Sequence, residues 1–438
     1  MEWWMILLII FGALMVLMLI GMPIAFAFLT VNLVAAWVVW NGSVGFGQLV
    51  LSIYESVTSF ALLPVPLFVL MGELMFRSGI AGRLMDVLDS WIGRLPGRLS
   101  IMAVGGGTMF ATLTGSAMAG AAMLSSLLVP EMEKRGYHRS MTLGPILGSG
   151  GLAIMIPPSA LAVLLAAIAN ISVGDFLVAI VVPGLLLAVA FILYIIIRCS
   201  ITPSLAPTYD LPAMPMVLRL RNTVLYGLPL LVIVFLVVGL IFLGVATATE
   251  SAAAGALGCF ALAWAYGGLN WKMLKESLEA TLAVTVMMLM IITGSTAFSQ
   301  ILAFTGASGG LVEAATGLSL NPIMIIIMMQ VVLLIMGCFM EPLSIMMLTI
   351  PMFFPIIQSL GFSPLWFGAI MLLNMELATI TPPFGLVLFV VKGVAPPGTT
   401  LAHIYRAALP FILVELAVMA LLMAFPGLIT WLPGLMGN

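Results

Sequence analysis

The chain alternates long, uncharged apolar blocks with short polar joints. The blocks are apolar all round, without the single stripe of a helix lying on a soluble core, so they predict helices surrounded by lipid or protein. One bilayer crossing takes about 20 such residues. Crossings are predicted near 3–20, 22–40, 59–76, 141–170 and 175–198, then near 223–243, 247–268, 281–305, 363–392 and 404–425. Two blocks fit no crossing. Leu99 to Pro130 holds 32 uncharged residues between basic flanks, Arg98 and Lys134. It is too short for two crossings, and its flanks belong on one side. It reads as a helical hairpin that turns near Thr114–Ala119. The block 321–360 runs from Asn321-Pro322 to Gly361-Phe362-Ser363-Pro364 with no base at either end, and reads as a hairpin entering from the opposite face. Segments near 45–57, 80–94 and 270–280 are amphipathic and are expected to lie at the interface as arms.

Each half then has five crossings and one hairpin. An odd number of crossings starts the second half from the other side, so the halves are expected to be inverted repeats, offset by roughly 220–225 positions. The first, 1–222, divides into scaffold helices 1–76, arm 77–98, hairpin 99–130 and broken helix 141–170. The second, 223–438, divides into scaffold helices 223–268, arm 270–280, hairpin 321–360 and broken helix 363–392. The breaks themselves repeat. Thr114-Gly115-Ser116-Ala117 precedes Pro157-Pro158, and Met336-Gly337-Cys338-Phe339-Met340-Glu341 precedes Thr381-Pro382-Pro383. Tandem prolines lack N–H donors and free carbonyls of the preceding turn. Unwound backbone at membrane depth persists only where it is buried or lines a polar cavity.

Composition agrees: 63% of the 438 residues are hydrophobic and 7% charged, far below the roughly 25% of soluble domains. The class is an all-α polytopic membrane protein with about ten transmembrane helices and two re-entrant hairpins. The fourteen Lys and Arg gather in a few joints, which the positive-inside rule assigns to the cytoplasm. A net charge of −2 without a basic stripe excludes nucleic acid as a partner. Three scattered cysteines, with no CxxC, exclude disulfide frameworks and cysteine metal sites. Met1-Glu2-Trp3-Trp4 lacks a basic signal-peptide start, so the first helix is expected to remain.

Hydroxyls and glycine-exposed carbonyls at the breaks suit a hard cation. Of the acids in apolar segments, Glu341 lies at a hairpin tip, Glu376 inside a broken helix and Glu250 after Thr247-Ala248-Thr249, where a helix-capping role competes with function. Glu415 reads as packing. His138 and His403 read as polar helix ends, and the methionines as packing. An intramembrane protease is disfavoured, because Asp86, Asp89, Asp175 and Asp210 lie near predicted ends and no histidine is central. No GxxxxGK[ST] loop supports an ATP-driven pump.

The chain resembles the large membrane subunit of tripartite ATP-independent periplasmic (TRAP) transporters. The resemblance rests on Thr114-Gly115-Ser116-Ala117, Val129-Pro130-Glu131-Met132, Arg135-Gly136-Tyr137, Gly150-Gly151 with Ile156-Pro157-Pro158-Ser159, Ile171-Ser172-Val173-Gly174, Gly337-Cys338-Phe339-Met340-Glu341 and Thr381-Pro382-Pro383-Phe384-Gly385. It runs over the whole chain. It implies an elevator-type fold in the bacterial inner membrane, no enzymatic activity, and sodium-coupled import of an organic acid. It also implies a periplasmic substrate-binding protein and a small four-helix membrane subunit as partners. Two Na⁺ sites are implied: Thr114 and Ser116 with carbonyls near Gly151, Met155 and Pro157, and Gly337 with Ala378 and Thr381. Ala378 stands where a glycine is expected, and Thr114 where some members carry serine. Gly115, Pro158, Ser159, Glu341 and Pro382 are the candidates for the substrate cavity. A stand-alone ion-coupled organic-anion symporter or antiporter of the same superfamily is the alternative.

Overall fold

The computed structural model describes residues 2–40, 42–93, 95–114, 117–207, 215–396 and 398–436. The described residues are helical, without strands. In the first half the helices are α1 (Trp3–Leu19), α2 (Ile24–Val39), α3 (Ser43–Val57), α4 (Pro64–Arg77), α5 (Ile80–Trp91), α6 (Arg98–Thr114), α7 (Ala117–Lys134), α8 (Arg139–Met155), α9 (Ala160–Ile168) and α10 (Val173–Ile201). The second half holds α11 (Met216–Phe242), α12 (Ala248–Ala265), α13 (Trp271–Phe304), α14 (Ala307–Thr316), α15 (Pro322–Gly337), α16 (Pro342–Ser359), α17 (Pro364–Ile380), α18 (Leu386–Val394) and α19 (Leu401–Ala424).

Among the described residues, six helical stretches are long and apolar enough to cross a membrane, or seven if the bent pair α8–α9 counts as one. Four further apolar helices, α1, α2, α15 and α17, have 16 or 17 residues. The stretches 45–57 and 80–94 fall on helices α3 and α5. The arm at 270–280 is corrected. It is continuous with the crossing predicted at 281–305, and together they form the 34-residue α13. Asn270 caps its start, accepting from the Met273 N–H at 2.8 Å, and no proline interrupts it. Lys275 and Glu279 pair one turn apart along the same helix, so nothing local ends the arm before the crossing begins. Helix α14, between that crossing and the second hairpin, has no counterpart among the predicted elements.

Helices α4, α12 and α13 pack together with α2 and α3. Two polar ties hold this group: Asn32 Nδ2 donates to the Gly294 carbonyl at 2.7 Å, and Arg77 bridges Glu73 and Glu276. The deepest core lies elsewhere, in α8 and α17. Every residue from Met141 to Met155 and from Trp366 to Ile380 is buried.

Candidate functional site

The site is built around α8 and α17, which pack against each other. The proline pairs end both helices. Helix α8 stops at Met155, Ile156 is extended, and α9 leaves at 45°. Helix α17 stops at Ile380, with Thr381 extended as its cap. The bonds Pro157-Pro158 and Pro382-Pro383 are both cis. Because prolines 157 and 158 have no N–H, the Ala153 and Ile154 carbonyls lose their helical donors. The Thr379 carbonyl likewise loses its helical donor at Pro383, whereas the Ala378 carbonyl accepts from the Thr381 N–H at 3.3 Å.

Equivalent elements surround each break. Hairpin arms α6 and α7 pack on α8, and arms α15 and α16 pack on α17. The short helix after each break packs on the opposite hairpin, α9 on α16 and α18 on α7. Three consecutive residues of α8 face three neighbours. Ser149 lies against Gly107 of α6, Gly150 against Ala121 of α7, and Gly151 against Glu376 of α17. A Cβ at Gly151 would overlap Glu376 Cγ and lie 2.8 Å from its Oε1, so only glycine fits this crossing. On the next face of α17, a Cβ at Gly337 would overlap that of Ala378 and lie 3.3 Å from its Cα.

Of the second set of candidates, Gly337 and Ala378 therefore meet, and Thr381 follows Ala378 by three residues at the end of α17. The Thr381 hydroxyl donates to the Leu377 carbonyl at 2.7 Å, and Cys338 Sγ lies 3.5 Å from the Pro382 carbonyl. Of the first set, Gly151, Met155 and Pro157 lie on one buried stretch, but the Met155 carbonyl oxygen faces Gly184 of α10, a Cβ there being 2.9 Å away. Gly115 and Ser116 lie outside the described residues, as does the Thr114 side chain, although Thr114 ends α6. Ser159 is fully buried and caps α9, accepting from the Ala162 N–H at 3.3 Å; Pro158 is buried beside it. Glu341 is exposed at the second hairpin tip and makes no capping bond. A polar cavity of about 460 Å³ does lie between the α3 end, α13, α9 and α16, lined by Ser56, Asn170, Ser295, Gln300 and Gln358 among others. None of the described candidate residues borders it.

The remaining polar residues sort by role. Glu250 forms a capping box with Thr247: its carboxylate accepts from the Thr247 N–H at 2.8 Å, and its own N–H donates to Thr247 Oγ1 at 3.3 Å. His138 and His403 cap the starts of α8 and α19. Asn374 donates to Gln330 of α15 at 2.8 Å. Glu376 and Glu415 are wholly buried, and none of their four carboxylate oxygens has a hydrogen-bond partner. Sequence reading singled out Glu376 but took Glu415 for packing. Its position in the middle of an apolar run was the available signal. Among the described residues no three His, Cys, Asp or Glu side chains converge as a metal site would require. The oxygens available near the breaks are carbonyls, the Thr381 hydroxyl and the unpartnered carboxylates of Glu376 and Glu415, the donor types that a hard cation takes.

Comparison with known proteins agrees with this architecture. Residues 11–428 match the family model of the tripartite ATP-independent periplasmic transporter, DctM component. The chain is 35% identical over 398 residues to a C4-dicarboxylate TRAP transporter large permease of Pseudomonas aeruginosa, covering 89% of this chain and 90% of the relative. It is 30% identical to the sialic acid large permease SiaM of Vibrio cholerae, over 96% of each chain. An ectoine/5-hydroxyectoine large permease of Ruegeria pomeroyi is 27% identical, over 95% of this chain and 96% of the relative. The fold matches the YdaH transporter of Alcanivorax borkumensis with a TM-score of 0.63 at 16% identity, covering 88% of this chain and 90% of that one. The chain is thus a transporter permease rather than an enzyme, and it belongs to the DctM-component family of TRAP transporters, the large permeases.

Proposed function

We propose that this permease imports an organic acid by sodium-coupled elevator transport across the bacterial inner membrane. The acid is delivered by a periplasmic binding protein, and a small four-helix membrane subunit completes the complex. The supporting observation is the buried crossing of α8 and α17, two helices broken at equivalent places, each flanked by its own hairpin. Repeated breaks of this kind put freed carbonyls and helix ends at the membrane midplane, where coupling ions and substrate are held. The first ion falls to the Thr114 and Ser116 hydroxyls with carbonyls of the Gly151–Pro157 stretch, and the second to Gly337, Ala378 and Thr381. Sodium held there supplies positive charge in a core whose one buried base among the described residues, Arg98, is already paired with Asp89. A carboxylate is drawn to that charge and to the hairpin helix ends.

In this reading the crossings 1–76 and 223–268 form the fixed scaffold together with α13. The hairpins 99–130 and 321–360 and the broken helices 141–170 and 363–392 form the moving body. The named substrates of the relatives, C4-dicarboxylates, sialic acid and ectoine, differ in shape, and an organic acid is the class supported here. Proteoliposomes holding both membrane subunits, with the binding protein outside, test the proposal. Labelled acid is expected to enter under an inward sodium gradient without ATP. Equal uptake with choline or potassium rejects sodium coupling. Uptake that ignores removal of the binding protein moves the assignment to a stand-alone symporter.

A further inference from the structure

Glu376 belongs to neither set of candidate ion ligands, yet it is the side chain that joins them. It projects from α17 of the second half onto the Gly151 backbone of α8 in the first. Two residues further along α17, Ala378 touches Gly337 of the second set. The Glu376 side chain is fully buried, and neither carboxylate oxygen has a hydrogen-bond partner. The helices packed on α17 bring no counter-charge inward. Arg139 of α8, Arg198 of α10, Lys392 of α18 and both His403 and Arg406 of α19 lie outside the buried set, whose one base among the described residues, Arg98, pairs with Asp89. Helix α19, packed against both α8 and α17, adds a second dry acid, Glu415, with both oxygens equally unpartnered. Filling space at Gly151 does not explain a carboxyl group, since an apolar side chain fills it without burying two unpartnered oxygens.

We propose that Glu376 supplies the anionic ligand of the first-half cation site, so that each half contributes to holding one ion. The proposal rests on the sodium reading above. The Gly151 cradle, which a Cβ would fill, seats the Glu376 side chain on α8 two and three residues before Ala153 and Ile154, whose carbonyls have no N–H donor at prolines 157 and 158. Ion binding then locks α8 to α17 across the two halves, a coupling that neither half can make alone.

The test reads ion binding without transport. The complete membrane complex, purified in detergent, is melted across a sodium chloride series with ionic strength held constant by choline chloride. Binding to the folded state raises the melting temperature as sodium increases. Glu376→Gln, neutral and of equal size, is expected to raise the half-saturating sodium concentration at least about tenfold. Glu376→Asp keeps the charge and is expected to retain the sodium response. A filler role predicts the reverse order, with Gln responding and Asp failing, and that result overturns the proposal. So does a Gln variant that titrates like the wild type. Should Glu376→Gln not fold, Glu376→Met, of similar size and without side-chain oxygens, decides: a lost sodium response supports ligation, and a response like that of the wild type overturns it. A wild-type complex indifferent to sodium removes the sodium reading itself, whereas a responsive wild type with an unchanged Gln variant removes only the role of Glu376.

Discussion

Thr381 donates its hydroxyl to the Leu377 carbonyl at 2.7 Å, and the oxygen keeps lone pairs free to accept a cation. Thr381→Val preserves shape and removes that oxygen. A lost ligand of about 1.4 kcal/mol raises the half-maximal sodium concentration for uptake about tenfold. Unchanged sodium titration with normal expression would leave Thr381 as a helix cap. Gly337 poses a steric problem instead. Gly337→Ala drives a methyl into Ala378 and is expected to destabilise the complex by about 1–3 kcal/mol, read as a lower melting temperature. Ala378→Gly in the same chain is expected to restore most of the loss, since the two side chains are in contact. Additive losses in the double variant would mean that the strain lies elsewhere. At this scale the sequence was unevenly legible. The capping role of Glu250 could be read from Thr247 three residues earlier. The crowding of Gly151 by Glu376 could not, because the partners are far apart in the chain and meet only when α8 and α17 cross.

Among the elements, the breaks were the most legible, because proline acts through its own missing N–H and ring wherever it stands. The boundaries of long helices were less so. The arm at 270–280 and the following crossing merge in α13 because a capped, charge-paired amphipathic turn and an apolar crossing share one helical period. One link between elements carries a test. Arg98 at the start of α6 bonds Asp89 of α5 at 2.7 Å and the Gly93 carbonyl at 2.9 Å, tying the arm to the hairpin. The arginine side chain is 10% exposed and the aspartate 36%, between the surface and buried regimes of ion pairs. Arg98→Ala is expected to cost about 1–3 kcal/mol of stability and to loosen α5, measured by melting and by hydrogen exchange across residues 80–91. Unaltered exchange in α5 would show that the arm is held by its apolar face alone.

For the whole molecule, the strongest regularity is the repeated order of hairpin, broken helix and short helix. Helices α6, α7, α8 and α9 begin at 98, 117, 139 and 160, and α15, α16, α17 and α18 begin at 322, 342, 364 and 386. If the two sets are inverted in the membrane, their hairpin tips are reached from opposite faces. Single cysteines replacing Met118 and Phe339, both exposed, in a chain lacking Cys199, Cys259 and Cys338, test this in sealed vesicles. An impermeant thiol reagent is expected to reach the Met118 position from one face and the Phe339 position from the other. Modification of both from a single face under every sodium and substrate condition would contradict the inverted order.

The sequence by itself determined the membrane class, the two hairpins, the two breaks and the candidate ligands beside them. Each of these follows from local chemistry: runs without charge, prolines without donors, glycines and hydroxyls at turns. The tertiary structure alone decided which breaks face each other, that Ser159 and Pro158 are buried, and that the Met155 carbonyl turns toward Gly184. It also decided that Glu376 of one half rests on Gly151 of the other. Close packing of helices distant in sequence fixes these relations, and hydrophobic patterning leaves them open because every face of these helices is apolar.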